Sequence, residues 1–139
     1  MSSAGKLGER KIIETFMTIF ERMPKMPVAF GDDVSAIDLG EGKLAVIKCD
    51  MLVAKTDVPR GMSCWQAARK AVVSTVSDFA AKGIQPLGLL TSLALPSNFK
   101  RRDIVQIGLG LNAGAREYDT YILGGDTNEA EDLIIDCVG

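Results

Sequence analysis

Between Gly8 and Arg22 the apolar residues Ile12, Ile13, Phe16, Ile19 and Phe20 recur at helical spacing, with Met23 just beyond. This predicts an amphipathic helix that Pro24 and Pro27 end. A strand follows over Val34–Leu39, then a turn at Gly40-Glu41-Gly42, then a second strand over Leu44–Val53. A loop through Pro59 and Gly61 leads to the clearest helix, Ser63–Lys82. There Ser63 and Gln66 have the spacing of a capping box, and Gly83 stands where a glycine cap ends a helix. Ala67, Ala68, Ala71, Ser74 and Thr75 leave this helix little bulk, so it should pack closely on a sheet. Pro86–Leu95 reads as a strand closed by Pro96, and a second long helix runs from Ser97 or Asn98 through Tyr118. Gly108, Gly110 and Gly114 lie inside that helix. Each costs about 1 kcal/mol against Ala there, a loss that close packing would offset. Tyr121–Gly124 and Leu133–Val138 read as the last two strands. The order α-β-β-α-β-α-β-β defines an α+β or mixed α/β fold, read as a single domain over residues 1–139 with helices packed on a mixed sheet.

Composition narrows the chemistry. With 139 residues, 47% of them apolar, the chain can bury a real core. A net charge of −2 offers no basic field for nucleic acid, and no apolar run is long enough to span a bilayer. The start, Met1 to Lys6, lacks the apolar segment of a signal peptide. Cys49, Cys64 and Cys137 are odd in number and have no metal-type spacing, which fits a reduced, cytoplasmic setting. Histidine is absent, which removes a Ser-His-Asp triad, a Cys-His pair and His-ligated zinc. Metal chemistry would have to rest on Asp and Glu, hard ligands that suit Mg²⁺.

Four acidic sites stand out: Gly31-Asp32-Asp33, Cys49-Asp50, Ser77-Asp78 and Gly124-Gly125-Asp126-Thr127. In the last, two glycines at a strand end would let backbone N–H groups approach a phosphate, with a hard cation between it and the carboxylate. Asp is common in turns and caps. Asp78 resists that explanation most, because Asp is a poor helix-interior residue and this helix carries few charges. Gly108-Leu109-Gly110-Leu111-Asn112-Ala113 fits a dinucleotide fingerprint only in letters, since it lies mid-helix rather than after a strand. A Walker A sequence is absent. Lys100-Arg101-Arg102 reads as a solvated first helical turn, Trp65 as packing, and Cys49 as a small structural residue.

Taken together, these segments resemble thiamine-monophosphate kinase, of the superfamily of aminoimidazole-ribotide synthetase and selenophosphate synthetase. Leu7-Gly8-Glu9 through Ile13 is similar to the family's opening helix, Gly31-Asp32-Asp33 to its first acidic motif, and Cys49-Asp50-Met51-Leu52-Val53 to the next strand. Ala68-Arg69-Lys70-Ala71 through Ser77-Asp78-Phe79-Ala80-Ala81-Lys82-Gly83 resembles the long helix. Leu93-Ala94-Leu95-Pro96 and Gly124-Gly125-Asp126-Thr127 complete the set in order.

The resemblance implies phosphorylation of thiamine monophosphate to thiamine diphosphate with ATP and Mg²⁺, by direct transfer without a side-chain nucleophile. It makes Asp32, Asp50, Asp78 and Asp126 the metal ligands, and sets Gly125 and Asp126 against the ATP phosphates. It also implies a homodimer whose sheets pair into a barrel, with sites at the interface. Three positions depart from the family's usual reading. Lys48 and Cys49 replace hydroxyl residues before the second aspartate, Asp57 stands where many members have a His near the substrate, and Thr75 replaces an Asn. Asp57 is thereby the candidate substrate-binding residue. The family's second, C-terminal domain is not contained in these residues, so the expectation is a fragment with little activity alone. Two other readings compete: a sister ATP-dependent enzyme of selenophosphate synthetase or hydrogenase-maturation type, and a non-catalytic dimerisation module.

Overall fold

The computed structural model describes residues 3–139, in two compact units, one reaching to Val46 and one running from Ile47 to Gly139. In the first, a short helix α1 (Ala4–Leu7) precedes α2 (Glu9–Ile19), which is the helix expected from Gly8 to Arg22. Gly8 separates them at φ 75°, a left-handed angle that glycine adopts without strain. Ile13, Phe16 and Ile19 remain exposed on α2, and Phe16 stacks on Phe20 with ring centroids 5.7 Å apart. A hairpin of β1 (Ser35–Gly40) and β2 (Lys43–Ile47) follows. Its two turn residues, Glu41 and Gly42, both have positive φ, the geometry that suits a two-residue hairpin turn.

The second unit contains β3 (Cys49–Val53), α3 (Ala54–Asp57), α4 (Cys64–Ala81), β4 (Leu89–Leu95), α5 (Arg101–Glu117), β5 (Ile122–Glu129) and β6 (Ile134–Val138). The strand expected over Leu44–Val53 breaks at Lys48, because its two halves serve different sheets: β2 pairs with β1, and β3 pairs with β6. The four-stranded sheet has the order β3-β6-β4-β5. Its β3–β6 and β6–β4 pairs are antiparallel and its β4–β5 pair is parallel, so the sheet is mixed, as predicted.

Side-chain alternation gives this sheet one covered face. Leu52, Leu89, Ile135 and Cys137 meet Ala68, Ala71, Val72 and Val76 of α4 and Ile107, Leu111 and Ala115 of α5 in one buried cluster. The small residues of α4 explain the closeness: Ala67, Ala68 and Ala71 are at most 2% exposed. Two of the three α5 glycines serve the same contact. A Cβ on Gly110 would fall 2.2 Å from the Trp65 carbonyl oxygen, and one on Gly114 would fall 2.9 Å from Val72 Cβ, whereas Gly108 faces open space. Arg69 of α4 grips Glu117 of α5 through Nε and Nη2, at 2.9 and 2.8 Å.

The ends of α4 follow the sequence. Ser63 accepts from the Gln66 N–H, and the Gln66 side chain accepts from the Ser63 N–H. At the other end Ile84 N–H bonds Phe79 carbonyl and Gly83 N–H bonds Ala80 carbonyl, a Schellman pair with Gly83 at φ 69°. Helix α5 begins later than expected. Pro96–Phe99 first make their own turn, closed by Phe99 N–H on the Pro96 carbonyl, and Asp103 then accepts from the Lys100 N–H. Among the described residues no helix is long and apolar enough to cross a membrane.

Candidate metal and nucleotide site

Strand β3 carries Asp50, paired with Cys137 of β6, on the face that α4 covers. Lys48 continues this register one step earlier. Its N–H and carbonyl bond the carbonyl and N–H of Gly139, at 3.0 and 2.9 Å. Lys48 and Asp50 are two residues apart in extended chain, so they address the same face. From α4, Asp78 reaches that edge, and its Oδ2 lies 2.6 Å from Lys48 Nζ. Both side chains are largely sheltered, 19% and 27% exposed. Asp78, the aspartate that a turn or cap explains least, therefore holds an ion pair to the β3 edge.

Gly124-Gly125-Asp126-Thr127 is not the strand end that was expected. Strand β5 runs through it to Glu129, paired in parallel with β4. Gly125 is needed for this pairing: a Cβ there would fall 1.7 Å from the Thr91 carbonyl oxygen. Its backbone is extended strand, not a concave nest of N–H groups. As β5 is an edge strand, its outward backbone groups face away from the sheet. Gly124, Gly125, Asp126 and Thr127 line a shallow cleft with Thr91, Leu93 and Ile122. Asp126 itself is exposed and pairs with Ser92, which pairs in turn with Asp136 of β6. These three share the sheet face opposite to Asp50.

Asp50 and Asp126 thus sit on opposite edge strands, three inter-strand steps or roughly 14 Å apart. Carboxylates are the right donors for a hard cation, so Asp50, Asp78 and Asp126 fit Mg²⁺ in kind. One copy of this unit does not gather them around one ion. Among the described residues no three His, Cys, Asp or Glu side chains converge closely enough to hold a metal. Asp32 belongs to the first unit, where its Oδ1 accepts weakly from the Val34 N–H at 3.4 Å.

Asp57, the candidate substrate residue, closes α3. Its Oδ2 accepts from the Val53 N–H at 2.7 Å, and this hydrogen bond holds its carboxyl below the usual carboxylate range. Asp136 was not singled out from the sequence. Burial, with the Asp50 charge second, raises its pKa above the usual value. A single carboxylate amid Ile134-Ile135-Asp136-Cys137-Val138 was the available signal.

A mixed four-stranded sheet with two helices on one face and aspartates at its edges defines the class. Residues 31–139 match the AIR synthase related protein, N-terminal domain family, and the chain belongs to it. The chain is 44% identical over 130 residues to thiamine-monophosphate kinase of Pyrococcus abyssi, a match covering 94% of this chain and 40% of that protein. The chain thus spans about two fifths of the length of that relative. In structure it is similar to tt0281 from Thermus thermophilus, with a TM-score of 0.88 and 26% identity over 99% of this chain and 44% of that one. It also shares its fold with AaThiL, solved as a complex with AMPPCP and TMP, at a TM-score of 0.87 and 23% identity over 99% of this chain and 43% of that one.

Proposed function

We propose that these residues form the metal- and ATP-binding part of a thiamine-monophosphate kinase, an enzyme transferring the terminal phosphoryl group of ATP to thiamine monophosphate. The observation that carries this reading is 44% identity across nearly the whole chain to an enzyme of that name. Asp50 on β3 and Asp126 on β5, both edge strands, and Asp78 on α4 are carboxylates of the kind a hard cation requires, which supports it. Asp32, Asp50, Asp78 and Asp126 would hold Mg²⁺, and Gly125 and Asp126 would lie beside the ATP phosphates. The bound cation would neutralise phosphate charge, the main requirement of phosphoryl transfer. The protein's own part is positioning: α4 fixes Asp78, the β3–β6 ladder fixes Asp50, and Gly125 lets β5 lie close on β4. Asp57 would sit near the substrate as a carboxylate, its charged form favoured by the Val53 N–H.

We further infer a homodimer in the cytoplasm. The uncovered sheet face exposes Met51, Leu90 and Leu123 at 59%, 48% and 68%, apolar surface that a second copy would cover. A second sheet on that face would also meet Asp126. The cysteines are free, in keeping with a reducing compartment.

The test is formation of thiamine diphosphate from thiamine monophosphate, ATP and Mg²⁺, by a form of the chain extended to the relatives' full length. Product that requires both ATP and Mg²⁺ is expected. ATP-dependent chemistry on another substrate with no thiamine diphosphate formed would favour a sister activity instead, and no nucleotide binding at all would favour a pure dimerisation module.

A further inference from the structure

We propose that Lys70 is a positioning residue for the substrate site: its ammonium ties the turn that carries Asp57 to α4, and so sets where the Asp57 carboxylate stands. The inference rests on the reading of Asp57 as a substrate-side carboxylate and goes beyond it by assigning Lys70 a role. Lys70 Nζ donates to the Asp57 carbonyl oxygen at 2.5 Å. A hydrogen bond from an ammonium is stronger than one between neutral groups.

Asp57 ends a helix of only four residues, too short to be stable by itself. Its turn is therefore fastened from outside. At the start, Ala54 N–H donates to the Leu133 carbonyl and Lys55 N–H to Asp132 Oδ2, both at 2.8 Å. At the end, the chain leaves through Pro59 and Gly61, the latter at φ 87°, before Ser63 opens α4. Lys70 reaches back across that excursion. Val58 also packs against the buried cluster, but an apolar contact has no direction. The Lys70 bond fixes which way the Asp57 peptide points. Inside the turn, Asp57 Oδ2 accepts from the Val53 N–H at 2.7 Å. That N–H does most to hold the carboxyl below its usual range, burial opposes it, and the Thr56 hydroxyl and the Lys70 charge add to it.

Lys70 also lines an open cavity of about 700 Å³ along the outer face of α4, with Met62, Trp65, Arg69 and Val73. That is room for a small molecule. The lining carries two cations, Lys70 and Arg69, and no carboxylate, so it suits a ligand that bears a phosphate. Lys70 thus belongs both to the tether on Asp57 and to the wall of a space of substrate size. Its loss should weaken substrate binding and leave ATP binding alone.

The experiment has two arms. The first is steady-state kinetics of a form of the chain extended to the relatives' full length, comparing the parent with Lys70→Met, Lys70→Arg and Asp57→Asn. Lys70→Met should raise KM for thiamine monophosphate by roughly tenfold, with KM for ATP within about twofold of the parent. Lys70→Arg keeps a charged donor on a long stem and should recover most of the loss. Parental KM in Lys70→Met, while Asp57→Asn raises it, overturns the role of Lys70 and leaves Asp57 standing. Parental KM in Asp57→Asn, or a parent that forms no thiamine diphosphate, removes the substrate reading and the inference with it. An equal rise in both KM values marks general loosening and overturns the positioning role. The second arm is amide hydrogen exchange by NMR on the 139-residue chain. In Lys70→Met the Val53 amide, which donates to Asp57, should exchange faster by roughly tenfold while Ile135 in β6 does not change. Unchanged exchange at Val53 overturns the tether. Should Lys70→Met not fold, Lys70→Ala, a good helix former that cannot reach the carbonyl, takes its place in both arms.

Discussion

Gly110 of α5 rests on the backbone of α4 at Trp65, so near that a Cβ would stand 2.2 Å from the carbonyl oxygen. Backbone cannot yield as a side-chain tip does, so Gly110→Ala must push the helices apart. That substitution should cost about 2 kcal/mol or more by overpacking, despite the better helix propensity of Ala. Gly108 makes no such contact, and Gly108→Ala should stabilise by up to about 1 kcal/mol. Urea unfolding of the two variants checks the pair, and equal stabilities would contradict this view of the α4–α5 contact.

Gly125 joins a second close approach to the candidate nucleotide site. Its missing Cβ lets β5 pair with β4 at Thr91. Gly125→Ala should destabilise the unit by about 2–3 kcal/mol, before any effect on ATP. A melting temperature equal to that of the parent would assign Gly125 to ligand contact alone.

These glycines show what the sequence could and could not tell. Spacing revealed both long helices, the Ser63–Gln66 capping box and the Gly83 cap, because each depends on residues near in sequence. It did not reveal that β5 continues through Gly124 and Gly125, since the reason is the carbonyl of Thr91 on a distant strand. The break at Lys48 was hidden in the same way: an unbroken apolar run serves two sheets. Of the candidate site, the aspartates were legible as residue types. Their distribution was not, because strand order decides that Asp50 and Asp126 lie at opposite edges. The Lys48–Asp78 pair joins residues thirty positions apart through the packing of α4 on the sheet, which no local pattern carries.

The cysteines should separate by environment. Burial pushes the Cys137 thiol up to about 11, and burial also raises that of Cys64, while Cys49 is exposed. At about pH 8 a thiol-reactive probe should label Cys49 first, Cys64 slowly, and Cys137 only on unfolding. Rapid labelling of Cys137 in the folded chain would contradict its place under α4.

The uncovered sheet face should mediate self-association. Sedimentation of the 139-residue chain at micromolar concentration should give a dimer, and Leu90→Lys, set on that face at 48% exposure, should give monomer. A parent chain that sediments only as monomer would argue against the pairing.

The central claim, that these aspartates bind metal and with it ATP, is tested most directly by calorimetry of ATP with and without Mg²⁺. The protein is a form of the chain extended to the relatives' full length, compared with Asp78→Asn, Asp126→Asn and the control Asp38→Asn. Asp38 accepts from the Gly40 N–H at 2.8 Å, a bond that Asn can keep, so the control should bind as the parent does. Asp78→Asn and Asp126→Asn should each lose Mg²⁺-dependent binding by at least roughly tenfold, since each removes a charge beside a divalent cation. Parental Mg²⁺-dependent affinity in both variants, with their folds intact, would contradict the account.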